Sequence, residues 1–282
     1  VRLKILSICN ILLFFTPLFP VKTILWDVGG VLFQPNTLAI VTNVIGIKNP
    51  AIYYISALCY GKFPKGLQAQ MYDLMYQKWG YQQVPERLKI RDNKGQELPQ
   101  IMADWLDGKQ TSHEISQEIG TLFTDLDQAG YFFNAAHKKT LESITSMMFN
   151  PQQLALNLKP IPQWCTLLQA SIQAGNNNII VSNFDRESFD CLFNSQNGKI
   201  VFAGIPKHNC VISAECGISK PNHGIFEYAL QKYNLNPEEC IFIDDQWENI
   251  QAAQEMKIGT VYVPTSNFEN ACKAIISKTA IA

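Results

Sequence analysis

Thr23 to Trp26, TILW, runs without a charged residue into Asp27, and Gly29 and Gly30 follow two residues later. Four residues that are β-branched, apolar or aromatic throughout suit a strand buried on both faces, as in a parallel sheet. Paired glycines let the backbone turn tightly and bring its N–H groups close to an anion. Asp27 is therefore expected at the carboxyl end of a buried strand, where α/β sheets gather their ligands. On its own, an acid in this place is as well explained by capping or turn formation as by chemistry.

Three later stretches bear on that choice. Asn178 to Asn183, NIIVSN, reads as a second buried strand ending in a hydroxyl, Ser182. Ser213 to Pro221, SAECGISKP, carries Lys220, and Cys240 to Asn249, CIFIDDQWEN, ends a further strand in Asp244 and Asp245, with Asn249 beyond. Singly, Lys220 reads more readily as a solvated lysine at a helix start and Ser182 as a strand-end hydroxyl, and the two acids read as well as a capping pair as a functional one. Side chains at the carboxyl ends of parallel strands converge on one crevice, so Asp27, Ser182 and Asp244 are expected to meet.

In content and order these four stretches resemble the motifs of the haloacid dehalogenase-like hydrolase superfamily, most of whose members are magnesium-dependent phosphatases. The resemblance implies an α/β fold, a Rossmann-like parallel-sheet core with an inserted α-helical cap. It implies Asp27 as nucleophile and metal ligand, and Mg²⁺ held by Asp27, the Gly29 carbonyl and Asp244. Asp245 is then a further ligand or a supporting acid. Gly30, Ser182 and Asn183 bind the phosphate, Lys220 offsets its charge, and Asn249 orients Lys220 or an Asp. A carboxylate beside Mg²⁺ can attack phosphorus in line, splitting one hard displacement into two easier ones.

One position departs from the pattern. The phosphatases of this superfamily usually carry a second Asp two residues after the nucleophile, and here that residue is Gly29. A positioned acid or base is worth ~10²–10⁴ in rate. The expected substrate is thus a small phosphorylated metabolite with a good leaving group, such as a sugar 1-phosphate. An L-2-haloacid dehalogenase also lacks that Asp but needs no acidic pair like Asp244 and Asp245; a non-catalytic binding protein on the same fold is the other alternative.

Composition narrows the rest. With 47% hydrophobic and 17% charged residues over 282 positions, the chain can bury a good core and a second, smaller one. A net charge of -1 and no dense basic run leave nucleic acid without an electrostatic footprint to meet. Eight cysteines without a C-x-x-C pair argue against zinc and suit a reducing compartment. A cytoplasmic location is expected on that ground. Residues 1–20 open with Arg2 and Lys4 and continue as an apolar run of signal-peptide length, so export or membrane anchoring is the alternative, with a misplaced start as the plainer reading of the run. No small-x-small cleavage site follows.

Residues 34–158 show helical spacing and are expected to form the cap, with 21–33 and 159–282 as the core. Leu67, Met71, Leu74, Met75 and Lys78 share a helical face, and Ile101 and Trp105, then Ile115, Ile119 and Leu122, do the same on either side of Gly108. Asp92 to Glu97 is a polar turn, and a helix is expected from His137 to Phe149, before Pro151. Tyr53, Tyr54, Tyr72 and Trp79 are read as fillers of a helical core, with a substrate pocket as the alternative. His113 and His137 are read as surface or capping residues. From Pro160 the pattern alternates as βαβ units do: strands at Asn178–Ser182, Val211–Ala214, Cys240–Ile243 and Thr260–Val263, Pro221 at a first helical position, and Gly259 ending the helix from Gln246.

Overall fold

The structure, a computed structural model, describes residues 23–46, 67–92, 94–264, 268, 272 and 273. Five parallel strands form one sheet in the order β5-β4-β1-β6-β7: β1 is Thr23–Trp26, β4 Asn177–Ser182, β5 Cys210–Ile212, β6 Cys240–Asp244 and β7 Gly259–Tyr262. All four residues of β1 are buried, because the strand lies in the middle of the sheet with helices over both faces. Alternate residues feed two cores. Ile24, Trp26, Ile180, Ile241 and Ile243 pack with Trp164, Leu168 and Phe189, while Leu25, Ile179, Val181 and Phe242 pack with Ile225, Phe226 and Ile250. This is why the strands read as unbroken apolar runs instead of alternating ones.

A third core is mainly helical, with Ile90 and Leu98 added from the segment between two of its helices. Met71, Leu74, Met75, Ile101, Trp105, Ile115, Ile119, Leu122, Leu141 and Phe149 belong to it, drawn from helices Leu67–Trp79, Gln100–Leu106, Ser112–Gln128 and Ala135–Met148. Ser112–Gln128 starts with a reciprocal capping box between Thr111 and Glu114, which satisfies two of the free amides of its first turn. Tyr72 is buried in this core, and the half-buried Trp79 donates its indole N–H to Glu118 Oε2 at 3.1 Å, as fillers do. Tyr53, Tyr54 and residues 1–20 lie outside the described residues. Among the described residues, no helix is long and apolar enough to cross a membrane.

The chain passes from the sheet to the helices and back through a small antiparallel ribbon, β2 (Phe33–Pro35) with β3 (Leu158–Pro160), in which Phe33 faces Pro160 and Pro35 faces Leu158. Sequence pattern does not announce this ribbon, whose strands are three residues long and each end in proline.

Other boundaries differ from expectation for local reasons. β5 stops at Ile212 and Ser213–Cys216 is a helical turn, because the Ser213 hydroxyl accepts the Phe184 N–H at 3.0 Å and donates to the Leu106 carbonyl at 2.6 Å. Asn222 caps helix His223–Lys232, leaving Pro221 outside it. Pro151 opens a short helix, Pro151–Leu156, instead of only following one. The helix after β6 is Trp247–Glu255, and Lys257, not Gly259, takes the left-handed conformation beyond it (φ 63°). Gly259 instead lies in β7, where a Cβ would sit 3.1 Å from the Cys240 carbonyl.

A candidate active site at the carboxyl end of the sheet

Parallel pairing in register sets the ends of β1, β4 and β6 side by side, with Trp26 opposite both Ile180 and Ile243. The next residues along those strands therefore share one crevice. The Ser182 hydroxyl donates to Asp27 Oδ1 at 2.8 Å. Lys220 reaches in from the segment after β5. Its ammonium donates to Asp27 Oδ1 and Asp244 Oδ2, both at 2.7 Å, and to the Val181 carbonyl at 3.0 Å, which uses all three protons. Lys220 is 1% exposed and Asp244 fully buried, so water plays little part in holding them.

The two adjacent acids differ in what remains open to a ligand. Asp244 Oδ1 accepts the Gln246 N–H at 2.7 Å and the Asn249 amide at 3.2 Å, while Oδ2 accepts Lys220 and, at 3.1 Å, the same amide. These four contacts come from three donor groups, set against about four lone-pair sites. Asn249 thus orients an Asp, and that Asp is Asp244. Asp245 stands the other way round: its Oδ1 is buried with no hydrogen-bond partner among the described residues. Asp27, Asp244 and Asp245 each offer an oxygen within 4.8 Å of the others. The donor set is hard oxygen throughout, as Mg²⁺ prefers, and an orphaned buried carboxylate oxygen is what a cation would relieve.

Charge explains the titration of the cluster, where one ammonium faces three carboxylates. Burial, then Asp27 and Asp244, push Asp245 up to about 8. Burial raises Asp244 to about 6, with Lys220 opposing and Asp27 adding. For Lys220, burial pulls downward, but Asp244 and Asp27 outweigh it and the ammonium is held above its ordinary range. Excess negative charge in a dry site is thus partly relieved by protons where no cation is bound.

The glycine pair divides its work. Gly30 is left-handed (φ 74°), and a Cβ there would lie 1.9 Å from Asp245 Oδ2, so the bare backbone makes room for that carboxylate. Its N–H donates to the Phe33 carbonyl at 2.8 Å, so this amide serves the turn and not the anion expected of it. Gly29 is exposed, and a Cβ there would meet nothing within 4 Å.

Asn183 also departs from the role expected of its side chain. Its amide grips the backbone of Lys220 from both sides, accepting the Lys220 N–H at 2.7 Å and donating to the Lys220 carbonyl at 2.9 Å. Sequence reasoning passed over Asp107 and Ser219, which join across 112 residues: the Ser219 hydroxyl donates to Asp107 Oδ1 at 2.6 Å, one residue before Lys220. No local pattern signals a pair so far apart. His113 and His137 sit on the helices Ser112–Gln128 and Ala135–Met148, outside the acidic cluster.

A family model described as haloacid dehalogenase-like hydrolase matches residues 21–257. No curated protein matches the chain significantly. Among solved structures, a HAD family enzyme of Bacteroides thetaiotaomicron, an aspartate-to-alanine mutant in complex with magnesium and inorganic phosphate, is similar with a TM-score of 0.50. It is 17% identical, over 88% of this chain and 96% of that one. A structure described as a predicted HAD-like family hydrolase from Porphyromonas gingivalis also gives 0.50, at 17% identity over 91% and 98% of the two chains. A dehalogenase gives 0.50 at 14% identity over 90% and 92%. At these identities the likeness is one of fold.

Proposed function

Since the chain belongs to the haloacid dehalogenase-like hydrolases, we propose that it is a Mg²⁺-dependent phosphatase of a small phosphorylated metabolite, with Asp27 as the nucleophile. The observation that carries this reading is the three-carboxylate cluster with its buried, unpartnered Asp245 Oδ1 beside the Lys220–Asp27 pair. A metal-free dehalogenase has no use for such a surplus of buried acids. The Bacteroides enzyme of similar fold was solved with magnesium and inorganic phosphate, the two ligands this reading assigns here.

Asp27, the Gly29 carbonyl and Asp245 would hold the ion. Asp244, expected as a ligand, lies within reach of the same ion, but its oxygens also accept from Lys220, Asn249 and Gln246, which makes the unpartnered Asp245 the readier donor. When bound, Mg²⁺ would supply positive charge that offsets the carboxylates and the phosphoryl oxygens. Ser182 and Lys220 both donate to Asp27 Oδ1, which fixes the carboxylate and leaves Oδ2 as the attacking atom. The Oδ2–phosphorus bond forms as the bond to the leaving oxygen breaks, giving an aspartyl-phosphate. Water then cleaves this acyl phosphate, restoring Asp27 and releasing phosphate. With Gly29 in place of an acid, the leaving oxygen draws its proton from water. The substrates that suit the site are accordingly those with good leaving groups, anomeric sugar phosphates among them.

Purified protein assayed against a panel of phosphorylated metabolites, with Mg²⁺ and with a chelator, tests the reading. Phosphate release that the chelator abolishes is the expected result. Halide release from L-2-chloropropionate in the presence of chelator, without phosphate release, would replace the phosphatase by the dehalogenase.

A further inference from the structure

The backbone that delivers Lys220 is held by both parts of the chain. From the sheet side, Asn183 grips the Lys220 peptide groups. From the helical side, the turn that ends helix Gln100–Leu106 fastens the segment at two points: the Ser213 hydroxyl donates to the Leu106 carbonyl, and the Ser219 hydroxyl to Asp107 Oδ1, each at 2.6 Å. Gly108 lets this turn lie flat against the segment, since it is left-handed (φ 70°) and a Cβ there would come within 2.7 Å of the Ala214 carbonyl. Nearby, the Ser112 N–H donates to Glu187 Oε2 at 3.1 Å. Ser219 is 5% exposed, so the hydroxyl end of its part-buried bond to Asp107 is largely shielded from water.

We propose that Asp107 is a positioning residue for Lys220, acting through Ser219. Consecutive Cα atoms are fixed about 3.8 Å apart, so a shift of Ser219 is passed directly to Lys220. The Lys220 ammonium has three acceptors at 2.7 to 3.0 Å and no spare proton, so a displacement of about 1 Å forfeits at least one of them. The turn at Asp107 in the helical region therefore sets where the lysine stands between Asp27 and Asp244. Calling the consequence catalytic rests on the phosphatase reading; the placement of Lys220 does not.

Two variants break the link from opposite sides, Asp107→Ala and Ser219→Ala. Asp107→Asn keeps the accepting oxygen. Lys109→Ala removes the exposed cation 3.4 Å from Asp107 Oδ2 and serves as control. Each alanine variant at the link is expected to lower kcat about tenfold, the scale of one hydrogen bond to a charged group, with KM changed less than about twofold. Asp107→Asn restores the rate, Lys109→Ala leaves it unchanged, and the double variant is no worse than either single one. Independently of any substrate, Lys220 in the folded protein, followed by mass spectrometry, is expected to acetylate faster in both alanine variants than in the wild type. Effects that multiply in the double variant, or Lys220 labelling that does not change, would overturn the proposal. A protein that hydrolyses no phosphate ester but shows the labelling pattern would sink the phosphatase and leave the positioning role standing. If Asp107→Ala does not fold, Ser219→Ala decides alone.

Discussion

Replacing Gly29 by Asp tests the proposed mechanism at the position where the phosphatases of the superfamily usually carry an acid. A Cβ at 29 meets nothing within 4 Å, and Gly29 is not among the glycines held at positive φ, so the substitution costs no steric strain. Removing a glycine from the unfolded chain is itself worth about 0.4–1 kcal/mol of stability, against which stands repulsion from the neighbouring carboxylates. Thermal unfolding with Mg²⁺ should consequently move by only a few degrees. Catalysis should move far more, because an acid two residues beyond the nucleophile can protonate a poor leaving group. The expected gain for simple alkyl phosphates is about 10²-fold, the low end for a positioned acid. Aryl and anomeric phosphates, which need no such help, should change little. In the wild type the same gap predicts a steep dependence on leaving-group pKa and a burst of leaving group before slow turnover, since nothing activates the water that cleaves the aspartyl-phosphate. The neighbouring glycine is the contrast: Gly30→Ala forces a Cβ to 1.9 Å from Asp245 Oδ2 at a positive φ, and should abolish activity. The assay is leaving-group release by stopped flow over an aryl and alkyl series. Equal rates across that series in the wild type, without a burst, would mean that another residue already supplies the proton and would refute the reasoning.

Three further outcomes follow from the same geometry. Asp27→Asn keeps an oxygen for Ser182 and Lys220 but loses the anionic nucleophile, so phosphate release should fall below about a hundredth of wild type with the fold retained by circular dichroism. Asp245→Asn should raise the Mg²⁺ concentration for half-maximal activity by about tenfold or more, and an unchanged titration would remove Asp245 from the metal site. Asp245 is raised to about 8 when folded, above its unfolded value, so its contribution to stability is full below about pH 4 and is lost as pH rises through 8. The melting temperature of metal-free protein should therefore decline across that window more steeply than in Asp245→Asn, and Mg²⁺ should offset the decline at the alkaline end. Parallel melting curves for the two proteins would count against the buried, proton-relieved Asp245.

Asp27, Ser182 and Asp244 were legible because buried parallel strands are written as unbroken apolar runs, and the first polar residue after such a run marks the rim of the sheet. The helices Leu67–Trp79, Gln100–Leu106, Ser112–Gln128 and Ala135–Met148 were legible from their spacing. What sequence hid is tertiary. Nothing near Asp244 distinguishes it from Asp245; only the approach of Lys220 and Asn249 fills the one and leaves the other open. Gly29 and Gly30 look interchangeable until the side chain of Asp245 is seen above one of them. Val211–Ala214 reads as a strand because its pairing ends through the Ser213 hydroxyl, whose partners, Phe184 and Leu106, lie 29 and 107 residues away. The left-handed turn after Glu255 fell to a lysine beside a glycine that propensity favours, since that glycine was needed against Cys240.

The ribbon of β2 and β3 has a bearing on how such a chain can change over generations. Pro35 and Leu158 are cross-strand neighbours, and residues so paired lie about 5 Å apart, a gap that a tight turn spans. Everything between them is thus a loop on the scaffold, however large, and its length can be altered without moving a strand of the sheet. Insertions, deletions and exchanges at this point leave the strand before Asp27 where it was. On the phosphatase reading, Asp27 then meets new leaving groups through replacement of the helices, provided that each replacement again presents an acceptor to Ser219.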